Sequence, residues 1–167
     1  MSDEIYLGNP NLKKANTAHE FTEEQIIEFI KCKKDPVYFA KNYIKIVSLD
    51  EGLTQFHPYD FQETLIKRFH ENRFNICKMP RQTGKSTTSV SYLLHYAVFN
   101  DSTNIGILAN KAATARDLLS RLQTAYENLP KWMQQGIISW NKGSLELENG
   151  SKILAASTSA SAVRGMS

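Results

Sequence analysis

Apolar positions recur along this chain in two rhythms, one helical and one alternating, and their order predicts an α/β fold. Thr22-Glu23-Glu24-Gln25 reads as a capping box with acids in its first turn. Phe21 and Ile26 stand where a hydrophobic staple needs them, and Lys31, Lys33 and Lys34 mark the far end, which predicts a helix of about three turns. Asp35-Pro36 restarts a short helix carrying Val37, Phe39, Ala40 and Tyr43, whose aromatics are expected on the core. Residues 49–56 read as irregular. Pro58-Tyr59-Asp60-Phe61-Gln62-Glu63 opens a third helix, with Asp60 as cap, Glu63 completing the box, and Phe61, Leu65 and Phe69 at regular helical spacing. Arg73-Phe74-Asn75-Ile76-Cys77-Lys78 reads as a strand, and a helix runs from Thr87 with Val90, Leu93, Leu94, Ala97 and Val98 on one face until Asn100-Asp101.

Residues 103–109 predict the next strand, apolar enough to be buried on both faces, as parallel strands are. Ala115, Leu118, Leu119, Leu122, Tyr126 and Leu129 mark a second long helix ended by Pro130; its other face carries Lys111, Arg116, Asp117, Arg121 and Glu127 and reads as solvated. Strand, helix, strand, helix in this order implies a right-handed parallel α/β sheet. The tail then changes rhythm. Ile137-Ile138-Ser139-Trp140, the alternating Ser144-Leu145-Glu146-Leu147-Glu148, the turn Asn149-Gly150 and Ser151-Lys152-Ile153-Leu154-Ala155-Ala156 predict a β-hairpin closed by the preferred two-residue turn. Residues 1–20 have little periodic apolar content and read as an arm, extended or poorly ordered, that can wrap the domain. No internal repeat is visible.

One stretch carries chemistry by itself. Met79-Pro80-Arg81-Gln82-Thr83-Gly84-Lys85-Ser86 follows the predicted strand and precedes the predicted helix, which is the context a phosphate-binding loop requires. Gly84 lets the backbone curl so that successive N–H groups converge, and the helix start adds its unpaired amides and dipole, so a polyphosphate fits there. Lys85 would reach the β- and γ-phosphates and the Ser86 hydroxyl would take one position on a Mg²⁺ bridging them. The loop departs from the consensus in having Met79 where a glycine is asked for, and Pro80 biases Met79 toward extended backbone. The alternative is a chance Gly-Lys-Ser at a helix start. Gln62 lies in the first turn of the preceding helix, where an amide offers both a donor and an acceptor to an adenine edge; taken alone, a helical glutamine is more often a solvated surface residue.

Length and composition narrow the class. The 167 residues allow one domain with a real core. Lys+Arg 20 against Asp+Glu 17 gives +3, compatible with a nucleic-acid partner without arguing for one. Cys32 and Cys77 have no metal spacing and read as reduced and structural in a cytosolic setting. The longest apolar runs fall short of a membrane span and the N-terminus is acidic, so a soluble, non-exported protein is expected.

Several motifs then coincide: Pro80-Arg81-Gln82-Thr83-Gly84-Lys85-Ser86, the upstream Tyr59-Asp60-Phe61-Gln62, Gly106-Ile107-Leu108-Ala109, Trp140-Asn141-Lys142-Gly143-Ser144, Asn149-Gly150-Ser151, Ala162-Val163-Arg164-Gly165 and Leu7-Gly8-Asn9-Pro10-Asn11-Leu12-Lys13. Together they resemble the N-terminal ATPase domain of the large terminase subunit of T-even-type tailed bacteriophages, across nearly the whole chain. In that family the loop commonly lacks the first glycine and carries an arginine at the position of Arg81. The resemblance implies a P-loop NTPase of the RecA-like (ASCE) type, with residues 1–20 as an arm and residues 21–167 as the front of the ATPase domain. It implies an ATP- and Mg²⁺-dependent motor that packages double-stranded DNA into a procapsid, working with a portal protein and a small terminase subunit. A homo-oligomeric ring in the host cytoplasm, docked transiently on the procapsid and with no membrane partner, is implied as well.

Carried over by residue, Gln62 matches the adenine-recognising Q motif, and Gln82, Thr83, Gly84, Lys85, Ser86 and Thr87 line the phosphate site. Arg81 matches a loop arginine acting on the γ-phosphate, where positive charge is physically apt; the alternative for Arg81 is a salt bridge to a neighbouring acid. Arg164 resembles an arginine finger reaching a neighbouring subunit, with a plain surface arginine as its alternative. The family's Walker B strand, ending in Asp-Glu, is expected just past Ser167, with a coupling motif and nuclease domain beyond it. The chain as written is therefore expected to bind nucleotide and hydrolyse it poorly. Two other readings stay open: a helicase-like DNA translocase, which can share the Q motif and loop, and a non-catalytic nucleotide-binding or assembly module.

Overall fold

The computed structural model describes residues 4–48 and 50–158; Arg164 and its neighbours lie outside them. Local rules account for the first helices. Helix α1 (Glu23–Lys34) starts on the expected box: the Thr22 hydroxyl accepts from the Gln25 amide at 3.2 Å and the Gln25 side chain accepts from the Thr22 amide at 3.1 Å. Asp35 caps α2 (Pro36–Tyr43), its carboxylate accepting from the Val37 and Tyr38 amides at 2.9 and 3.0 Å. Phe39 is buried, as expected, and the Tyr38 and Tyr43 hydroxyls both donate to Glu28 on α1, which ties the two helices together.

The stretch expected to be irregular is instead a hairpin, β3 (Lys45–Ser48) with β4 (Gly52–Gln55). Helix α3 (Asp60–Glu71) also differs in detail: its N-cap is Tyr59, and Gln62 fills the third helical position that had been given to Glu63. Its buried side consists of Gln62 and Ile66, so Phe61 points to solvent and the apolar stripe is rotated by one residue.

Residues 73–78 do not form the expected strand. A strand exists only through its ladder, and no described strand lies beside this segment. Phe74 and Ile76 stay 83% and 100% exposed, and Cys77 is exposed rather than structural. Helix α4 (Lys85–Phe99) follows, then β5 (Asn104–Ala109), α5 (Ala112–Glu127), β6 (Ile137–Trp140), β7 (Ser144–Leu147) and β8 (Lys152–Ser157). The sheet has the order β5-β8-β7-β6 and is mixed, which corrects the parallel expectation. Only β5 and β8 run parallel, because the Asn149-Gly150 hairpin forces β7 and β8 antiparallel. That turn is a three-residue loop with Gly150 at φ 81°, closed by the Leu147 amide on the Ser151 carbonyl at 2.9 Å.

Helix α5 covers one face of β5 and β8, where Ile107, Leu145, Leu147 and Ile153 are buried. On the other face Asn104, Gly106, Leu154 and the Lys152–Glu146 ion pair line an open cavity of about 560 Å³. Strand β5 is therefore half exposed, not buried on both sides, because it is an edge strand with one face uncovered. The arm is ordered: β1 (Ile5–Tyr6) and β2 (Asn9–Lys13) pair, and Leu12 enters the core. Gln134 and Glu148 bind the arm's backbone, Gln134 at the Asn11 carbonyl and Lys13 amide, Glu148 at the Asn16 amide at 2.9 Å.

Helix α4 is fixed at its far end and on its flank, and this determines where its N-terminus points. Asn149 donates to the Ala97 and Asn100 carbonyls at 2.9 and 3.2 Å, the Ser151 hydroxyl to Asn100 at 2.8 Å, and Gln135 to Val98 at 3.0 Å. These side chains satisfy carbonyls that a helix end leaves unpaired. Midway, His95 is 1% exposed and its Nε2 sits 2.9 Å from the Cys32 carbonyl near the end of α1. A carbonyl can only accept, so Nε2 carries the proton and Nδ1 is the bare nitrogen, buried without a partner among the described residues. Burial pushes the Cys32 thiol up to about 12.

Candidate functional site

The segment before α4 closes on itself through two left-handed residues, Gln82 at φ 62° and Gly84 at φ 72°. Gly84 is the N-cap of α4, and the first helical bond runs from the Thr88 amide to the Gly84 carbonyl at 2.9 Å. The amides of Lys85, Ser86 and Thr87 thus belong to the opening turn, which has no intrahelical acceptors. Thr88, fully buried, adds a second bond from its hydroxyl to the same carbonyl at 3.0 Å. The Thr83 hydroxyl donates to the Pro80 carbonyl at 3.0 Å, which holds the turn closed.

Lys85, at the first helical position, folds back along the loop. Its ammonium donates to the Met79 carbonyl at 3.0 Å and also to the Pro80 carbonyl. Arg81, Gln82 and Ser86 are exposed, while Thr83, Gly84 and Thr87 are partly buried. Neither Arg81 nor Lys85 has an ion-pair partner among the described residues, so the salt-bridge alternative for Arg81 finds no support there.

Gln62 is 4% exposed, which removes the reading of a solvated surface residue. Its side-chain oxygen accepts from the Tyr59 amide at 2.9 Å, and its Nε2 donates to the Thr83 carbonyl at 3.2 Å. It thereby joins the start of α3 to the turn before α4. The fit is close: a Cβ on Gly84 would lie 2.3 Å from Gln62 Nε2. Beside it, Tyr59 and Phe61 stack at 5.7 Å with planes 11° apart, both exposed. Sequence reasoning missed this pair, since Phe61 had been read only as one of three apolar residues, with Leu65 and Phe69, at helical spacing.

The structure therefore brings Gln62, Thr83, Gly84 and Lys85 together, with Arg81, Gln82, Ser86 and Thr87 on the same turn. Arg164 falls outside the described residues. The turn sets together opening-turn amides, the positive end of a helix of four turns, a lysine and a hydroxyl, groups whose chemistry suits an anion. Among the described residues no group of three or more His, Cys, Asp or Glu could hold a metal ion, and no helix is long and apolar enough to cross a membrane. Residues 76–167, more than half of the chain, match the sequence model of a protein family described as terminase large subunit, T4likevirus-type, N-terminal.

Proposed function

Because this chain belongs to the T4-like-virus type of terminase large subunit, matched over its N-terminal part, we propose that its loop binds the triphosphate of ATP to power DNA packaging. The observation that carries this reading is the pair of left-handed residues, Gln82 and Gly84, at the turn that leads into Lys85 and the opening amides of α4. A family assignment by itself supplies a motor; the loop supplies the place where its fuel docks.

Each residue has a role its chemistry suits. The amides of Lys85, Ser86 and Thr87 receive phosphate oxygens, and Lys85 exchanges the Met79 and Pro80 carbonyls for the β- and γ-phosphates. Ser86, exposed at the second helical position, would offer one hydroxyl to a bound Mg²⁺. Mg²⁺ at such a site neutralises charge developing on the phosphates. Arg81, exposed beside them and in no ion pair among the described residues, would approach the γ-phosphate. The base lies toward Tyr59 and Phe61, where an aromatic face can stack on it. Gln62, with two of its hydrogen-bonding sites engaged, keeps one amide hydrogen and one lone pair for the adenine edge. Turnover also needs a carboxylate to orient water, and none of the residues placed at the loop is one. Binding by this chain, with hydrolysis requiring a carboxylate from elsewhere in the complete motor, is the expected behaviour. Double-stranded DNA, a portal protein, a small terminase subunit and a homo-oligomeric ring are its proposed partners, in a host cell.

Isothermal titration with ATP, ADP and AMP tests the reading. ATP and ADP should bind with Mg²⁺ and AMP weakly. Lys85→Ala should weaken ATP by about tenfold or more, the loss of one charge-assisted contact. Ser86→Ala should remove most of the Mg²⁺ dependence. Equal binding of AMP and ATP, or a Lys85→Ala variant that binds as wild type, would remove the phosphate site from this loop.

A further inference from the structure

Helix α1 presents a face that the core does not use. Cys32 points inward, fully buried, but Ile27 is 66% exposed, and Ile26, Ile30 and Phe21 are exposed around it. Three isoleucines in solvent on one short helix make a patch rather than scattered exceptions. On one side the patch runs into an apolar cavity of about 370 Å³ lined by Phe29, Ile30, Trp132 and Met133.

The charges around the patch are arranged by polarity. Glu23 and Glu24 occupy the first turn, and Lys31, Lys33 and Lys34 the last. Glu23, Glu24, Lys33 and Lys34 are all exposed, and none of them is in an ion pair among the described residues. Along the outer line of the helix the order is Glu23, Ile27, Ile30, Lys34, with the spacing of a coiled-coil seam. That line is complementary to its own reverse. Turned end for end, it sets Glu23 against Lys34, Ile27 against Ile30, and, on the flank, Glu24 against Lys31. A parallel copy would instead set acid on acid and base on base. We propose that this face is a docking surface for a second copy of the chain, α1 packing antiparallel on α1 about a two-fold axis. Such a contact is the same patch used twice and closes at two subunits. It is thus independent of the phosphate loop and of a head-to-tail ring, and goes beyond the function proposed above. A contact made by one twelve-residue helix is small, so the pair is weak.

Sedimentation equilibrium of the whole chain from about 10 µM to about 1 mM reads this directly. The wild type should pass from monomer to dimer and stop there. Glu23→Lys with Glu24→Lys in one chain, and Lys31→Glu with Lys34→Glu in another, should each weaken self-association by about tenfold or more, since like charges then face each other. An equimolar mixture of the two should recover dimers, an outcome that misfolded variants cannot give. Ile27→Gln, an exposed change a helix tolerates, should leave a monomer with unchanged circular dichroism and unchanged ATP binding. A wild type that stays monomeric at the top concentration, a mixture that does not recover, a dimeric Ile27→Gln, or assembly that grows past two would each overturn the proposal.

Discussion

Gly84→Ala puts the coupling between α3 and the loop before α4 to a quantitative test. Gly84 sits at φ 72°, ψ 17°, where an L-residue is disfavoured by roughly 1–2 kcal/mol. Its added Cβ would also lie 2.3 Å from Gln62 Nε2. No such contact is tolerated, and Gln62 is 4% exposed, so the amide must leave a closed space. Moving it forfeits the bond to the Thr83 carbonyl, worth about 0.5–1.5 kcal/mol net, and leaves a buried donor without a partner at about 1–3 kcal/mol. The sum is a destabilisation of about 2.5–6.5 kcal/mol. Gln62→Ala by itself should cost about 2 kcal/mol, through the Thr83 bond and the Tyr59 amide it also satisfies. In the double variant the Gln62 share is counted once, so the two losses should fall short of additivity by about 1.5 kcal/mol. Urea titrations of wild type, both single variants and the double variant give the four corners of the cycle. Losses that add to within about 0.3–0.5 kcal/mol would show that Gly84 and Gln62 do not share a contact, and the account of a loop braced from α3 would fail with it.

Three further outcomes follow from named groups. Burial pushes the His95 imidazole down to about 4, against an ordinary value of 6.5, with the Cys32 carbonyl opposing and His70 adding to the shift. Below pH 6.5 the unfolded chain takes up a proton that the folded chain refuses, so this contribution is complete above 6.5 and is lost as pH falls toward 4, by about 3 kcal/mol in all. Urea midpoints measured across that window should fall steeply in the wild type and less so in His95→Phe; equal slopes would assign the loss to other groups. Glu148→Ala removes bonds from the Gly136 and Asn16 amides at 2.7 and 2.9 Å, and should cost about 2 kcal/mol and expose the arm to limited proteolysis before residue 20. An arm that stays as resistant as in the wild type would place its anchorage elsewhere. Asn149→Ala strips two donors from the end of α4 and should cost about 1–2 kcal/mol in thermal or urea unfolding; a neutral result would mean water replaces both bonds.

The elements that could be read off the chain are those whose causes lie within a few residues. Thr22 and Gln25 cap α1, Asp35 and Pro36 start α2, and the alternating Leu145, Glu146, Leu147 finds its ladder partner β8 across a turn only a few residues away. The turn into α4 belongs with them, since a glycine at the end of a turn, followed by lysine and serine at a helix start, is a local arrangement. What local rules misjudged depends on partners far along the chain. Residues 73–78 have the composition of a strand but no described neighbour, because a ladder is a property of two segments. Gln62 looks like a surface residue until Thr83, from another element, arrives to take its amide. Asn149 looks like a turn former, and only packing shows that its side chain also closes α4. Covalent sequence sets backbone preference and the period of burial, but which donor meets which acceptor across long separations is decided by packing, once a core fixes the elements in place.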